Sequence, residues 1–370
     1  MVAPCVVRLH QEIGNASSDV HRAELTAELG CYLARIGEFV EAERIIANLR
    51  RDFGDGRSGR VSILIMCMEG LLHHFRDLSE KSLDRLYRAR LISATTAQRD
   101  LLSLTSAWLA HMYFNSNRFD EAVSSLCVSL DALETTNVAA TCRLSMIVGD
   151  IYANLGEDVL SRDWYTISRQ AATSYGDQAS IGALTYNSAA LCVFALRLRA
   201  CSAAVSEAEV ESASTRIRTA TNYQLIAQLT SLDHLLIGSN IHLEMIRQNF
   251  GIASGFIEEI LKSGVAPDEY SHLAIFKLDR VLCEVKLGRE RAAIDNLSKI
   301  SLIDIARLSL DDQIIAHSTL SNIRKYIEAD HLECVQKVEI KRLIELNEDS
   351  KRRIRGIMGP FESIPVGFTQ

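Results

Sequence analysis

Two asparagines and two arginines are the residues whose type and spacing best suit recognition of a peptide. Asn115 and Asn154 lie 39 residues apart. A carboxamide offers a donor and an acceptor, so a row of asparagines can hold the peptide groups of an extended chain whatever its side chains. Arg35 and Arg143 could bind a carboxylate. Alternatively, each asparagine only ends a helix, because Asn is favoured before a turn.

Signatures of catalysis and metal binding are missing from the sequence. It contains no glycine-rich phosphate loop, no Gly-x-Ser-x-Gly elbow and no His-Glu-x-x-His motif. His73 and His74 are adjacent, and adjacent helical residues point about 100° apart, so they cannot share an ion through helix geometry alone. The nine cysteines stand singly, with no Cys-x-x-Cys pair. We expect no enzyme activity, no cofactor and no metal, and an enzyme of unrecognised type is the alternative.

Composition and charge favour an ordered helical chain. Its 370 residues are 48% hydrophobic and 24% charged, with a net charge of −7 and no long basic run, which makes nucleic acid an unlikely main partner. No proline occurs between Pro4 and Pro267, which favours helix throughout that stretch. The N-terminus does not resemble a signal peptide, and the longest apolar run, 61–68, is too short to span a bilayer. We therefore expect a cytoplasmic protein without a membrane partner.

Small residues recur with a pitch of about 40 residues. The first members of the series are Gly30, Gly70, Ala110, Gly149 and Ala189, and small residues twelve positions after the first four are Ala42, Ser82, Ala122 and Ser161. A large side chain follows each of the first four members by three residues, and a polar break comes next. Each unit is therefore predicted to be a helix, a short turn and a second helix.

Glycine has two predicted roles in the first unit. Gly30 is expected to let the second helix of its own hairpin pack closely, with Ala42 on the facing side. Gly37 falls in the turn, where glycine can take a positive φ without a steric penalty.

The segments LGCYLARIGEFVEAE, LAHMYFNSNRFDEA and VGDIYANLGEDVLS resemble tetratricopeptide repeats over roughly 22–172. The pitch exceeds the family's usual length of about 34 residues, and the proline that ends the family's repeat is missing. The resemblance is to a divergent bacterial type. It implies an all-α, right-handed superhelical solenoid of about seven to eight antiparallel helix hairpins, capped by a C-terminal amphipathic helix.

The resemblance also implies that the first helices of successive hairpins line a concave groove, which binds a peptide or a segment of a partner protein. The predicted register places nine candidate residues on or close to that face. They are Arg35, His74, His111, Asn115, Arg143, Asp150, Asn154, Tyr186 and Asn187.

The predicted organisation has two runs of repeats with a polar stretch between them. The expected segments are 1–21 as an N-terminal segment or first helix, 22–205 as repeats, 206–221 as a loop-like connection, 222–305 as repeats, 306–358 as terminal helices and cap, and 359–370 as an extended tail. A basic cluster at 351–355 is interpreted as a solvated helix face, and an acidic partner is the alternative.

We expect a non-enzymatic adaptor or scaffold that holds a protein or peptide segment in its groove. One alternative is a peptide-responsive bacterial regulator or sensor acting through a partner, similar to the bacterial pheromone receptors. Those receptors carry an N-terminal output domain, and repeats that begin near residue 22 leave no room for one, so the adaptor is favoured. A second alternative is a structural subunit of a homo- or hetero-oligomer.

Overall fold

The computed structural model describes residues 3–54, 56, 58–134, 136–231, 233–262, 272–300, 305–326 and 330–364. Within these ranges the chain is helical, with no β-strand. Seventeen α-helices have both ends described. They are α1 (Pro4–Gly14), α2 (Asp19–Ile36), α3 (Phe39–Phe53), α4 (Gly59–Asp77), α5 (Lys81–Thr95), α6 (Arg99–Asn115), α7 (Phe119–Ala132), α8 (Val138–Asn154), α9 (Asp158–Tyr175), α10 (Gln178–Arg199), α11 (Glu207–Ala227), α12 (Asp233–Ile246), α13 (Phe250–Lys262), α14 (His272–Lys286), α15 (Glu290–Leu297), α16 (Leu310–Arg324) and α17 (Asp330–Ile357).

Consecutive helices pack as hairpins. Helix α2 packs on α3, α4 on α5, α6 on α7, α8 on α9, α12 on α13, and α14 on α15. First helices also pack on the first helices of neighbouring hairpins, as α2 does on α4 and α6 does on α8. This arrangement confirms the predicted all-α hairpin repeat.

Local signals in the sequence set the ends of several helices. Gly37 ends α2 in the left-handed conformation, with φ of +96°, as predicted for a glycine in the turn. Ser18 begins the same helix, because its side chain accepts a hydrogen bond from the backbone N–H of His21 at 3.1 Å. Asn137 begins α8 in the same way, accepting from the N–H of Ala140 at 3.1 Å.

The close approach at Gly30 is confirmed, and it involves the next hairpin as well as the second helix of the same hairpin. The atoms nearest to an added Cβ at Gly30 belong to Met68 on α4 and to Ile45 on α3, whose Cγ2 would lie 3.2 Å away. Ala42 is fully buried without being one of those nearest neighbours. Gly30 therefore makes room chiefly for the next hairpin, because first helices pack on one another as well as on their own second helices.

Gly149 shows the predicted packing within one hairpin and gives a direct test of it. An added Cβ would lie 2.5 Å from Tyr165 Cδ1 and 3.3 Å from the carbonyl oxygen of Ser161, both on α9. We expect Gly149→Leu to lower the free energy of unfolding by about 1–3 kcal/mol through overpacking. The matched control is Gly255→Leu in α13, where a Cβ meets nothing within 4 Å. That change should raise stability by up to about 1 kcal/mol through helix propensity. Chemical denaturation measures both, and shifts of the same sign would contradict the packing at Gly149.

The chain forms two units. Unit 1 comprises 1–187, 222–232 and 356–370, and unit 2 comprises 188–221 and 233–355.

The predicted loop-like connection at 206–221 is wrong, because these residues belong largely to α11. Ala213, Ile217 and Ala220 are buried at helical spacing, so a narrow apolar stripe anchors an otherwise polar helix. The helix ends instead at Ala227, and the described residues 228–231 are not helical, with φ of +55° at Gln228.

The prediction of an extended tail at 359–370 is also wrong for the residues that the structure describes. Residues Gly359–Phe361 form a short 3-10 turn. Phe361 is fully buried, and its carbonyl oxygen accepts a hydrogen bond from Trp164 Nε1 at 3.0 Å. The last residues of the prediction, 365–370, lie outside the described residues.

Helix α10 is apolar along its length. Among the described residues it is the one helix long and apolar enough to cross a bilayer by length and composition, with a mean hydropathy of 1.5. Core helices pass the same test, and 39% of the apolar window is buried.

Candidate functional site

Unit 1 contains a cavity of about 430 Å³ on the side formed by the first helices of its hairpins. Helices α2, α4, α6 and α8 supply most of its wall, and residues at the junction of α9 and α10 complete it. Apolar side chains form much of the wall, and they are Leu25, Leu64, Leu71, Leu101, Leu104 and Trp108. The cavity is therefore lined chiefly by first helices, the elements that the sequence predicts to line a groove.

Helix α2 makes long-range contacts within unit 1, with the α9–α10 junction and with Ser231 in the segment after α11. Arg35 Nη1 lies 2.8 Å from Asp177 Oδ2 and donates to Ser180 Oγ at 3.0 Å. The hydroxyl of Tyr175 donates to the carboxylate of Glu28, and Ser231 Oγ donates to the backbone oxygen of Arg35 at 2.6 Å. The first hairpin thus meets the start of α10, although the residues of the ion pair are 142 positions apart in sequence.

Arg143 is the buried cation of the cavity wall. It is only 2% exposed, and the centre of its guanidinium group lies 3.6 Å from the centroid of the Trp108 ring. Its Nη1 lies 3.3 Å from His111 Nδ1, while its Nε has no hydrogen-bond partner. Within the part of the chain that the structure describes, no carboxylate forms an ion pair with Arg143.

The protonation of His111 follows from its surroundings. Burial, followed by the charge of Arg143 and by His74, holds the pKa of His111 well below its usual value. The ring is therefore neutral at physiological pH. Because a guanidinium group only donates, His111 Nδ1 must accept the hydrogen bond from Arg143 Nη1. Burial and the nearby Arg35 lower the pKa of Arg143 to about 10, so its guanidinium stays charged at neutral pH.

The other end of the cavity wall is acidic. Arg60 Nη2 lies 2.7 Å from Asp100 Oδ2, and Arg60 Nε lies 3.4 Å from Glu24 Oε1. Glu134 lines the same end and is exposed. Arg60, Asp100 and Glu134 lie at or next to the N-terminal ends of α4, α6 and α8, and Glu24 lies in the second turn of α2. Arg143 lies in the second turn of α8, and Arg35 lies in the last turn of α2. The carboxylates of Glu24, Asp100 and Glu134 therefore gather at the end of the wall near Arg60, and Arg35 marks the opposite, cationic end.

Four of the predicted site residues come together at the cationic end. Arg35 and Arg143 line the cavity. His111 contacts Arg143, and His74 packs against His111 with ring centroids 5.3 Å apart.

Asp150 and Asn187 form a second cluster in unit 1, separate from the cavity wall. Asp150 is 1% exposed and accepts hydrogen bonds from the Tyr165 hydroxyl at 2.6 Å and from Asn187 Nδ2 at 2.8 Å. Burial raises the pKa of Asp150 to about 7, although both hydrogen bonds and the charge of Arg143 favour its ionised form.

The remaining candidates do not line the cavity. Asn115 is exposed at the last residue of α6, and Asn154 is half-buried at the last residue of α8. Tyr186 is half-buried in α10. The proposed asparagine row stays a prediction.

Three residues that shape the site were not predicted from the sequence: Trp108, Asp177 and Arg60. Trp108 carried a usable signal, because it is one of only two tryptophans and precedes His111 by one helical turn. Asp177 lies in the turn before α10, and the repeat pattern predicts no site residue in that turn.

The sequence matches no protein-family model and no curated protein. Among solved structures, the chain is similar to a Rap protein complexed with competence and sporulation factor. The TM-score is 0.56 at 12% sequence identity, and the similarity covers 92% of each chain. The chain has the fold of a Rap protein. This finding confirms the helical-repeat architecture that the resemblance to tetratricopeptide repeats predicted.

Proposed function

We propose that the chain is a peptide-responsive regulator that binds a peptide in the cavity of unit 1 and acts through a partner protein. The observation that carries this proposal is the fold similarity to a Rap protein that is complexed with a factor. It covers 92% of both chains, so the position at which the repeats begin no longer counts against a regulator. The regulator therefore ranks above the adaptor that we favoured from the sequence.

The cavity has the features that peptide recognition requires. Leucine side chains and Trp108 offer apolar surface, and a few polar groups converge on the same space. The charged groups differ in sign between the two ends, which can fix the direction of a bound chain. In this proposal the protein is not an enzyme, acts in the cytoplasm, and has neither nucleic acid nor membrane as its partner.

Blocking the cavity tests the proposal. Ala139 lines the cavity on α8, and Ala153 is a half-buried alanine of the same helix outside its wall. Purified protein would be incubated with a pool of random hexapeptides, and the retained peptides would be measured by mass spectrometry after size exclusion. We expect Ala139→Phe to reduce recovery about tenfold or more, which corresponds to a binding loss of at least about 1.4 kcal/mol. Ala153→Phe should retain what the wild type retains.

Two results would contradict peptide binding in the cavity. One is that the wild type retains no peptide from the pool. The other is that both phenylalanine variants retain the same peptides in the same amounts. Light scattering on the same samples would show whether a second copy of the chain occupies the site instead, as expected of a structural subunit.

A further inference from the structure

We infer that Arg143 is a carboxylate subsite, with Trp108 as the platform that holds its guanidinium group in place. The inference rests on the proposed function, since it names the part of the ligand that the cavity recognises. The carboxylate can be the C-terminal group of the peptide or the side chain of an Asp or Glu residue.

Charge balance is the first reason. Arg35 and Arg143 lie in the same wall, where Arg143 is buried and the Arg35 side chain is 12% exposed, and Asp177 forms its ion pair with Arg35. The nearby carboxylate of Asp150 already accepts hydrogen bonds from Tyr165 and Asn187. Among the described residues, no carboxylate is left to form an ion pair with Arg143. A buried charge without a counter-ion is costly, so an anion entering the cavity would be bound strongly.

The geometry of the guanidinium group is the second reason. The Trp108 ring covers one face of the group, and Nη1 donates to His111 Nδ1 and lies 3.2 Å from the sulfur of Met146. The Nε–Nη2 edge remains. Nε has no partner, and no hydrogen bond of the described residues engages Nη2. Those two donors point the same way and match the two oxygens of one carboxylate.

The rigidity of the arrangement is the third reason. Arginine loses side-chain entropy when it is ordered, but Trp108 and His111 already hold Arg143 without the ligand. A carboxylate therefore meets a guanidinium group whose position is already fixed. The acidic end, where Glu24 and Asp100 share Arg60, repels an anion and so favours placement of the carboxylate at Arg143.

Three hexapeptide pools test the inference on the wild-type protein. The first pool lacks Asp and Glu and has free C-terminal carboxylates. The second has the same sequences with C-terminal amides, and the third has amides with one Asp or Glu at a varied position. We expect the first pool, the third pool or both to be retained about ten- to a hundredfold more strongly than the second. Stronger retention of the first pool would identify the C-terminal group as the source of the carboxylate, and stronger retention of the third would identify an Asp or Glu side chain.

Variants show whether Arg143 is responsible. Arg143→Gln should remove the preference over the amide pool, and Arg143→Lys should restore part of it, because lysine keeps the charge but lacks the paired donors. Arg88→Gln, an exposed arginine of α5 outside the cavity wall, should leave the preference intact. Circular dichroism and thermal melts check that the variants fold. The comparison of pools on the wild type needs no variant.

The outcomes separate the two proposals. Equal retention of all three pools by the wild type would overturn the carboxylate subsite while leaving peptide binding in place. A preference that survives Arg143→Gln in folded protein would overturn the role of Arg143. Retention of no pool would overturn peptide binding itself, and the subsite with it.

Discussion

Replacing Asp177 by asparagine should lower the free energy of unfolding by about 3–5 kcal/mol, the cost of leaving one member of a buried ion pair unpaired. The side chains of Arg35 and Asp177 are 12% and 10% exposed, and their closest atoms are 2.8 Å apart. Asparagine keeps the shape of the side chain but removes its charge, so Arg35 would join Arg143 as a second uncompensated cation. Urea denaturation at pH 7 measures the loss.

A surface ion pair provides the control for this change. Asp84 pairs with Arg88 one turn further along α5 at 3.0 Å, and both side chains are more than half exposed, at 53% and 59%. Asp84→Asn should cost well under 1 kcal/mol, because solvent screens the pair. The double variant Arg35→Met with Asp177→Leu should recover much of the stability lost in Asp177→Asn, since no charge is then left unpaired. Equal small losses at Asp177 and Asp84 would show that water reaches the pair and that the groove opens readily at this point.

The second large effect concerns pH. Burial raises the pKa of Asp150 from 3.8 to about 7 in the folded protein. A raised folded-state pKa means that the folded state binds more protons than the unfolded state between these two values. The stabilising contribution of protonated Asp150 is therefore complete below about pH 4 and is lost as the pH rises to about 7. Between pH 5 and pH 8 this group alone should lower the free energy of unfolding by about 3 kcal/mol.

His111 acts in the opposite direction, so the wild-type curve alone is not sufficient. Its folded-state pKa is depressed, chiefly by burial, and its contribution to stability is lost as the pH falls below about 6.5. Subtracting the free energy of unfolding of Asp150→Asn from that of the wild type at each pH cancels the contribution of His111. As the pH rises from 5 to 8, the free energy of unfolding of the variant should increase by about 3 kcal/mol relative to that of the wild type. A difference that is constant over this range would show that Asp150 titrates at its ordinary pKa and is reached by solvent.

The sequence alone determined the hairpin architecture of this protein. Small residues about 40 positions apart, apolar stripes of helical period and polar breaks are all local features, and a hairpin is formed by residues close in sequence. Gly37 and Gly149 were interpretable for that reason. Gly37 adopts the positive φ that one turn requires, and Gly149 leaves room for the close packing of two successive helices.

Local features failed where tertiary packing supplies the stability. Helix α11 is polar and rich in small residues, so its sequence resembles a connection, and only the burial of a narrow stripe makes it a helix. The nearest neighbour of Gly30 likewise lies on another hairpin, because the register between hairpins is not encoded by the spacing within one.

The site shows the same division most clearly. Arg35 and Arg143 could be chosen from the sequence because the repeat register placed them on the face of the first helices. Whether each would meet a ligand or a residue of the chain depended on where the hairpins came together in space. The tertiary structure brings Asp177 to Arg35 from 142 residues away, and in the part of the chain that is described it gives Arg143 no carboxylate partner. Which distant residues meet depends on the packing angles between all the successive hairpins of the unit. No short stretch of sequence determines those angles.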